Sequence, residues 1–118
     1  GAGQSRGGCG ARRVWRILGN QTRGAVCCER SKSAPFGLAG GQAGSPMRIT
    51  LEDPDGGIRH PLSKGAFTVA AEGRIVFEVP GSGGYGPASK RDPAALADDL
   101  KNGYVSEEAA KSDYGVDG

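Results

Sequence analysis

Few of the residues that usually build a chemical centre are present: one histidine, one tryptophan, one methionine and three cysteines in 118 residues. Cys9, Cys27 and Cys28 make an odd count with no C-x-x-C spacing, and His60 is far from all three, so neither a zinc site nor a disulfide framework fits. If Cys27 and Cys28 lie in a strand they point to opposite faces, and at most one is buried. Cysteine used this way implies a reducing, cytoplasmic setting. No apolar run reaches membrane-spanning length and no signal peptide opens the chain, so no membrane partner is expected. An initiator methionine is also missing. The sequence starts inside a glycine motif, "GAGQSRGGCG", and reads as a piece of a longer protein.

Glycine is what the chain has in quantity, 22 residues against an average usage of about 7%. Such a chain loses more backbone entropy on folding and has fewer side chains to pack. Weak stability in isolation, or a surface covered by a neighbour, is the expectation. Fifteen Lys and Arg against thirteen Asp and Glu give +2. Arg6, Arg12, Arg13, Arg16, Arg23, Arg30 and Lys32 crowd the first third, and acidic residues gather from Glu52 onward. A basic arm can bind nucleic acid or another anion. Solvated arginines flanking strands, or arginines paired with an absent acidic partner, are the preferred account, since only Trp15 is interleaved with them for base stacking.

The pattern predicts an α+β fold: β-rich antiparallel hairpins, long glycine-rich loops and two short C-terminal helices. "ARRVWRIL" (11–18) and "GAVCCER" (24–30), joined by "GNQTR", suggest one antiparallel pair. "SKSAPFGLAGGQAGSP" (31–46) is too rich in Gly, Ala, Ser and Pro for regular structure and reads as an interface or functional loop. A short strand near Arg48–Glu52, a "DPDGG" turn and a return near Ile58 follow. "GAFTVAAEGRIVFEVP" (65–80) reads as a second hairpin turning at "AAEG". Then the period changes. Asp92 is a good N-cap with Pro93 behind it and Gly103 as the stop, and Ser106 caps "EEAAKSDY", which ends at Gly115.

After the second predicted hairpin, Gly81, Gly83 and Gly86 spell G-x-G-x-x-G. A dinucleotide loop of that spelling works when a strand feeds straight into a helix inside a βαβ unit. Here the strand is antiparallel to its neighbour and "PASKRDP" delays the helix to about Pro93, so the nucleotide reading is set aside. The glycines then serve either a tightly packed loop or a direct ligand contact around Tyr85.

Residues 63–116, with "SKG", "PGSGGYG", "RDP", "GYVS" and "YGV" in one order, strongly resemble the C-terminal end of the hydantoinase B/oxoprolinase family. "GAGQSRGG" and "ERSKSAPFGLAGGQAGSP" resemble that family's earlier glycine-rich segments, although Gln4, Ser5 and Ser82 depart from its pattern. The resemblance implies one C-terminal portion over 1–118, divided as loops and strands 1–62, hairpin and glycine loop 63–91 and helical tail 92–118. It implies a subunit of an ATP-dependent hydrolase that opens five-membered cyclic amides of the hydantoin or 5-oxoproline type, with this portion as scaffold and a wall of a substrate or subunit-interface pocket. ATP would come from a hydantoinase A-type partner subunit and a divalent metal from a motif upstream, with neither held by this portion. No catalytic residue is assigned. Substrate-binding or interface candidates are Arg6, Gly7, Gly8, Gly83, Gly84 and Tyr85. A guanidinium between glycines could meet a carboxylate or phosphoryl oxygen in a two-pronged fashion, or serve a structural carboxylate. Lys64 invites a catalytic role, with a carboxylate-paired lysine as the plainer account. An inactive truncated remnant is one alternative, and a nucleic-acid module built on the C-terminal helix pair is a remoter one, since Glu107, Glu108 and Asp113 would face phosphates.

Overall fold

Alternating apolar residues up to Val79, and a helical period after Asp92, set the element order seen in a computed structural model that describes residues 1–116. The strands are β1 (Ala11–Arg16), β2 (Thr22–Cys27), β3 (Arg48–Glu52), β4 (Ile58–Arg59), β5 (Lys64–Val69) and β6 (Arg74–Val79). After a 3-10 turn at Ala88–Lys90 come α1 (Pro93–Lys101) and α2 (Glu107–Tyr114). The expected α+β class, antiparallel with two short helices at the end, is what forms. Contacts divide the chain into two units. One holds Gly10–Ala34 and Pro46–Pro80, and the other Gly1–Cys9, Pro35–Ser45 and the segment from Gly81 onward.

The first unit contains all six strands. β1, β6, β3 and β4 form one antiparallel sheet in that order, and β2 pairs with β5 in a second. β6 buries Ile75 on one face and Val76 on the other, and β1 and β3 pair along its two edges. Ile49, Leu51 and Ile75 from the larger sheet pack with Val26, Met47 and Val69, and Leu51 and Val69 are fully covered. β1 is an edge strand exposed along its whole length, although Trp15 sets its ring edge-on to Phe77, 5.2 Å between centroids.

Two of the three expected pairings are corrected by this topology. β1 and β2 do not pair with each other, and β5 and β6 do not form a hairpin; only β3 and β4 do. At "AAEG" the turn is present, with Gly73 N–H donating to Ala70 O at 3.1 Å, but Glu72 takes a left-handed φ of 65° and its N–H donates to Ile17 O. The chain therefore leaves β5 and joins β1 instead. On the other side, Gly24 of β2 lies opposite Phe67 of β5, and a Cβ there would press to 2.6 Å from the Phe67 ring, so this glycine admits the aromatic side chain that ties the small sheet together.

The second unit has three glycine-rich segments and the helix pair. Asp92 accepts from Ala95 N–H at the start of α1, and Ser106 accepts from Ala109 N–H at 3.1 Å at the start of α2. Gly103 and Gly115, at φ 73° and 70°, end the two helices. Leu96 of α1, Val105 of the connection and Ala110 of α2 form a small core with Leu100 and Tyr114 against it.

Candidate functional site

The glycine motifs meet in the second unit as interlocked backbone. Tyr85 N–H donates to Ser5 O and Ser5 N–H to Tyr85 O, both at 2.9 Å, while Leu38 N–H donates to Gly84 O and Gly86 N–H to Leu38 O. The third segment thus lies between the first and the second. Side chains are excluded by this closeness: a Cβ on Gly83 would overlap the Phe36 carbonyl, one on Gly84 the Ala2 carbonyl, and one on Gly7 the Ser82 carbonyl. Gly8 differs, its nearest neighbour being the Ser82 hydroxyl at an ordinary 3.7 Å.

This geometry also decides what the G-x-G-x-x-G spelling does. A phosphate cradle needs free backbone N–H groups. Here Gly81 N–H donates to Ser45 Oγ, Ser82 N–H to Gly8 O, Gly84 N–H to Gln42 O, and Tyr85 and Gly86 are committed as above. Five of the six backbone donors from Gly81 to Gly86 are thus spent on the protein itself. Tyr85 keeps its side chain exposed, so its ring and hydroxyl are the accessible part of the motif.

Arg6 leaves the first glycine segment and meets Asp99 of α1. Its Nε and Nη2 reach the two carboxylate oxygens at 3.0 Å each, Nη1 donates to Gly7 O at 2.9 Å, and the guanidinium lies 5.2 Å from the centre of the Tyr104 ring. Arg91 Nη2 binds the same carboxylate and Arg91 Nη1 donates to Gln4 O at 3.3 Å. Asp99 is only 5% exposed. The hydrogen bonds from Arg6, opposed by burial and reinforced by both guanidiniums, hold its carboxyl below the usual range. Arg6 is correspondingly held in its charged form.

The six sequence-derived candidates, Arg6, Gly7, Gly8, Gly83, Gly84 and Tyr85, are therefore brought into one unit. Arg6 spends its two-pronged face on Asp99. Lys64 lies in the other unit, 2.6 Å from Glu29, which raises its pKa rather than lowering it; the pair is exposed and matches the plainer account of a carboxylate-paired lysine. Asp99 and Arg91 were not singled out from sequence. The available signal was Asp99's position beside Leu96 and Leu100 on the apolar stripe of α1, where a carboxylate needs a buried partner.

The residues present do not fit a divalent metal. His60 Nδ1 is 3.2 Å from Ile49 O on the sheet, Asp53 and Glu52 are taken by Arg59 and Arg74, and among the described residues no group of three His, Cys, Asp or Glu converges.

Antiparallel sheets, glycine segments locked through their backbones and an arginine–aspartate clasp define an α+β module whose marked residues bind the chain to itself. The chain belongs to the hydantoinase B/oxoprolinase family, whose model matches residues 1–88. It is 32% identical over 98% of its length to an uncharacterized protein of Methanocaldococcus jannaschii, and 30% identical over 98% of its length to the caprolactamase subunit beta of Pseudomonas jessenii. The crystal structure of the ATP-dependent caprolactamase of Pseudomonas jessenii matches 99% of the chain at a TM-score of 0.76 and 28% identity. The chain spans about a fifth of each relative's length, 20% and 21% of the two proteins and 21% of the crystallised chain.

Proposed function

We propose that this chain serves as a scaffold portion of a hydantoinase B-type subunit in an ATP-dependent enzyme that hydrolyses cyclic amides. The observation that carries the reading is the match to the caprolactamase subunit beta along nearly the whole chain, together with the family match. The geometry supports the scaffold role: Arg6 and Lys64, the charged candidates for chemistry, are both paired with carboxylates of the protein.

The substrate class we infer is a ring amide of the hydantoin or 5-oxoproline type. The lactam in the relative's name is a larger ring with the same bond to break. A ring amide is a poor electrophile, and ATP supplies activation of its carbonyl oxygen so that water can attack the carbon and the C–N bond can open. We assign nucleotide binding to a hydantoinase A-type partner subunit, since the "subunit beta" of the relative's name speaks for an assembly of more than one chain, and the divalent metal to residues outside this chain. What this chain contributes is a wall, with Tyr85 as its exposed polar group. A cytoplasmic setting accords with three free cysteines. Among the described residues no helix is long and apolar enough to cross a membrane.

The test is phosphate release by the full gene product co-purified with its ATP-binding subunit. Release that depends on hydantoin, 5-oxoproline or a lactam is the expected result. Release that ignores all three, or none at all from a folded complex, overturns the reading.

A further inference from the structure

A cleft of about 490 Å³ opens in the strand unit where β4 stops short of covering β3, with Arg48 and Ile49 of β3, Ser31, His60 and Ser63 in its lining. β4 pairs Leu51 with Arg59 and Glu52 with Ile58, so the same register sets His60 opposite Thr50. The ring lies accordingly, with Nδ1 3.5 Å from Thr50 Oγ1 and 3.2 Å from Ile49 O. A carbonyl can only accept, so Nδ1 carries a proton. Nε2 has no hydrogen bond among the described residues and is left for a guest.

Arg48 and Thr50 are two apart on β3, so their side chains share a face, about 7 Å from each other along the strand. The long Arg48 side chain and the His60 ring beside Thr50 therefore border one space, and both residues are exposed. Among the described residues Arg48 makes no ion pair. Glu78, opposite it in β6, lies between Arg48 and Arg12 in the register, and Glu52 is held by Arg74. One positive charge is in excess there. No carboxylate lines the cleft. Ser31 and Ser63 also line a neighbouring cavity of about 290 Å³, whose Glu29 is taken by Lys64 while Lys32 is left over.

A guanidinium, an imidazole and two hydroxyls beside buried Met47 and Ile49 suit an anion with several oxygens. A phosphate monoester, whose second proton leaves near about pH 6, meets Nε2 with its own O–H or accepts from the imidazolium, and keeps oxygens for Arg48. A carboxylate has only two oxygens and, at neutral pH, no proton to give. We propose that this cleft binds the phosphate group of a small molecule, held between Arg48 and His60. The assignment stands on the sheet register and the unpaired charge, and is independent of the ring-opening reaction.

His60 is the single histidine, so its ring resonances report on the site in the full chain. Titration with monobutyl phosphate at constant ionic strength should shift them saturably, with acetate binding about tenfold more weakly. Arg48→Gln should weaken the phosphate about tenfold, whereas Arg23→Gln, which removes the same charge from β2 outside the cleft, should leave it unchanged. Inorganic phosphate distinguishes the source: weaker binding than the ester assigns the site to an organic phosphate that also uses the apolar lining, and equal binding assigns it to the free ion. Resonances that neither phosphate moves overturn the proposal. So does equal binding of acetate and phosphate, an Arg48→Gln variant that binds as the parent does, or an equal loss in both arginine variants, which would reduce the effect to net charge. An oligonucleotide that moves the resonances where both phosphates fail would assign the face to nucleic acid instead.

Discussion

Asp99 concentrates the energetics of the second unit in one side chain. Removing it leaves two guanidiniums facing each other with Arg91 almost wholly covered, and breaking a buried pair this way costs about 3 kcal/mol or more. Asp99→Ala should therefore lower the denaturation midpoint strongly, whereas Arg6→Ala, which leaves Asp99 one partner, should cost about 1.5–3 kcal/mol, the range of a charged hydrogen bond. Chemical denaturation of the two variants side by side checks the order, and equal losses would refute it. The pH dependence has a definite sign. A carboxyl whose folded pKa is depressed adds stability in full above its unfolded value, near 3.9, and loses it as the pH falls through the folded value. Wild-type stability should fall on acidification below about pH 4, and Asp99→Asn should flatten that part of the curve. An identical slope in the variant would remove Asp99 from the account.

Elements show which rules were legible. Both helices were, because Asp92, Ser106, Gly103 and Gly115 are local signals read by their own turns. β3 and β4 were, through "DPDGG", where Gly56 takes a φ of 90° and Asp55 accepts from Gly57 N–H. The β1–β2 and β5–β6 hairpins were misread, because short spacing argues for local pairing while the sheets use partners some forty to sixty residues away, as Ala25 with Ala66 and Trp15 with Ile75. Gly24 opposite Phe67 could not be seen without that register. The candidate site was legible as a set of motifs but not as an arrangement, since Arg6 meets Asp99 across 93 positions. Glycine substitution separates packing from ligand contact within the motifs. Gly83→Ala drives a Cβ into the Phe36 carbonyl and should cost about 1–3 kcal/mol, while Gly8→Ala should stay within about 0.5 kcal/mol. Thermal unfolding distinguishes them, and a harmless Gly83→Ala would refute the interlock. In the other unit Leu51→Ala, at 1% exposure, should cost about 3 kcal/mol by the same measurement.

At the scale of the molecule, the two units are compact but neither is contiguous, since the chain passes between them after Cys9, Ala34, Ser45 and Pro80. Each core is small: one rests on Leu51 and Val69 with four further buried residues, the other on Leu96, Val105 and Ala110. Large apolar side chains remain exposed elsewhere, among them Trp15, Leu18, Phe36, Leu62 and Tyr104. The glycine interlock contributes backbone hydrogen bonds, each worth only about 1 kcal/mol net, and these require all three glycine segments at once. It follows that residues 81–116 cannot hold their helix pair alone. Cut from the chain, that segment loses Ser5, Gln42 and Leu38 as backbone partners and Arg6 as the main partner of Asp99, leaving a three-residue core and two helices shorter than the roughly 12 residues that are marginal in water. A peptide of this segment should show little helical circular dichroism, and adding peptides 1–9 and 35–45 together should raise it more than either one does. A peptide 81–116 that is as helical by itself as in the whole chain would show that the helix pair, rather than the glycine layer, is what holds this unit.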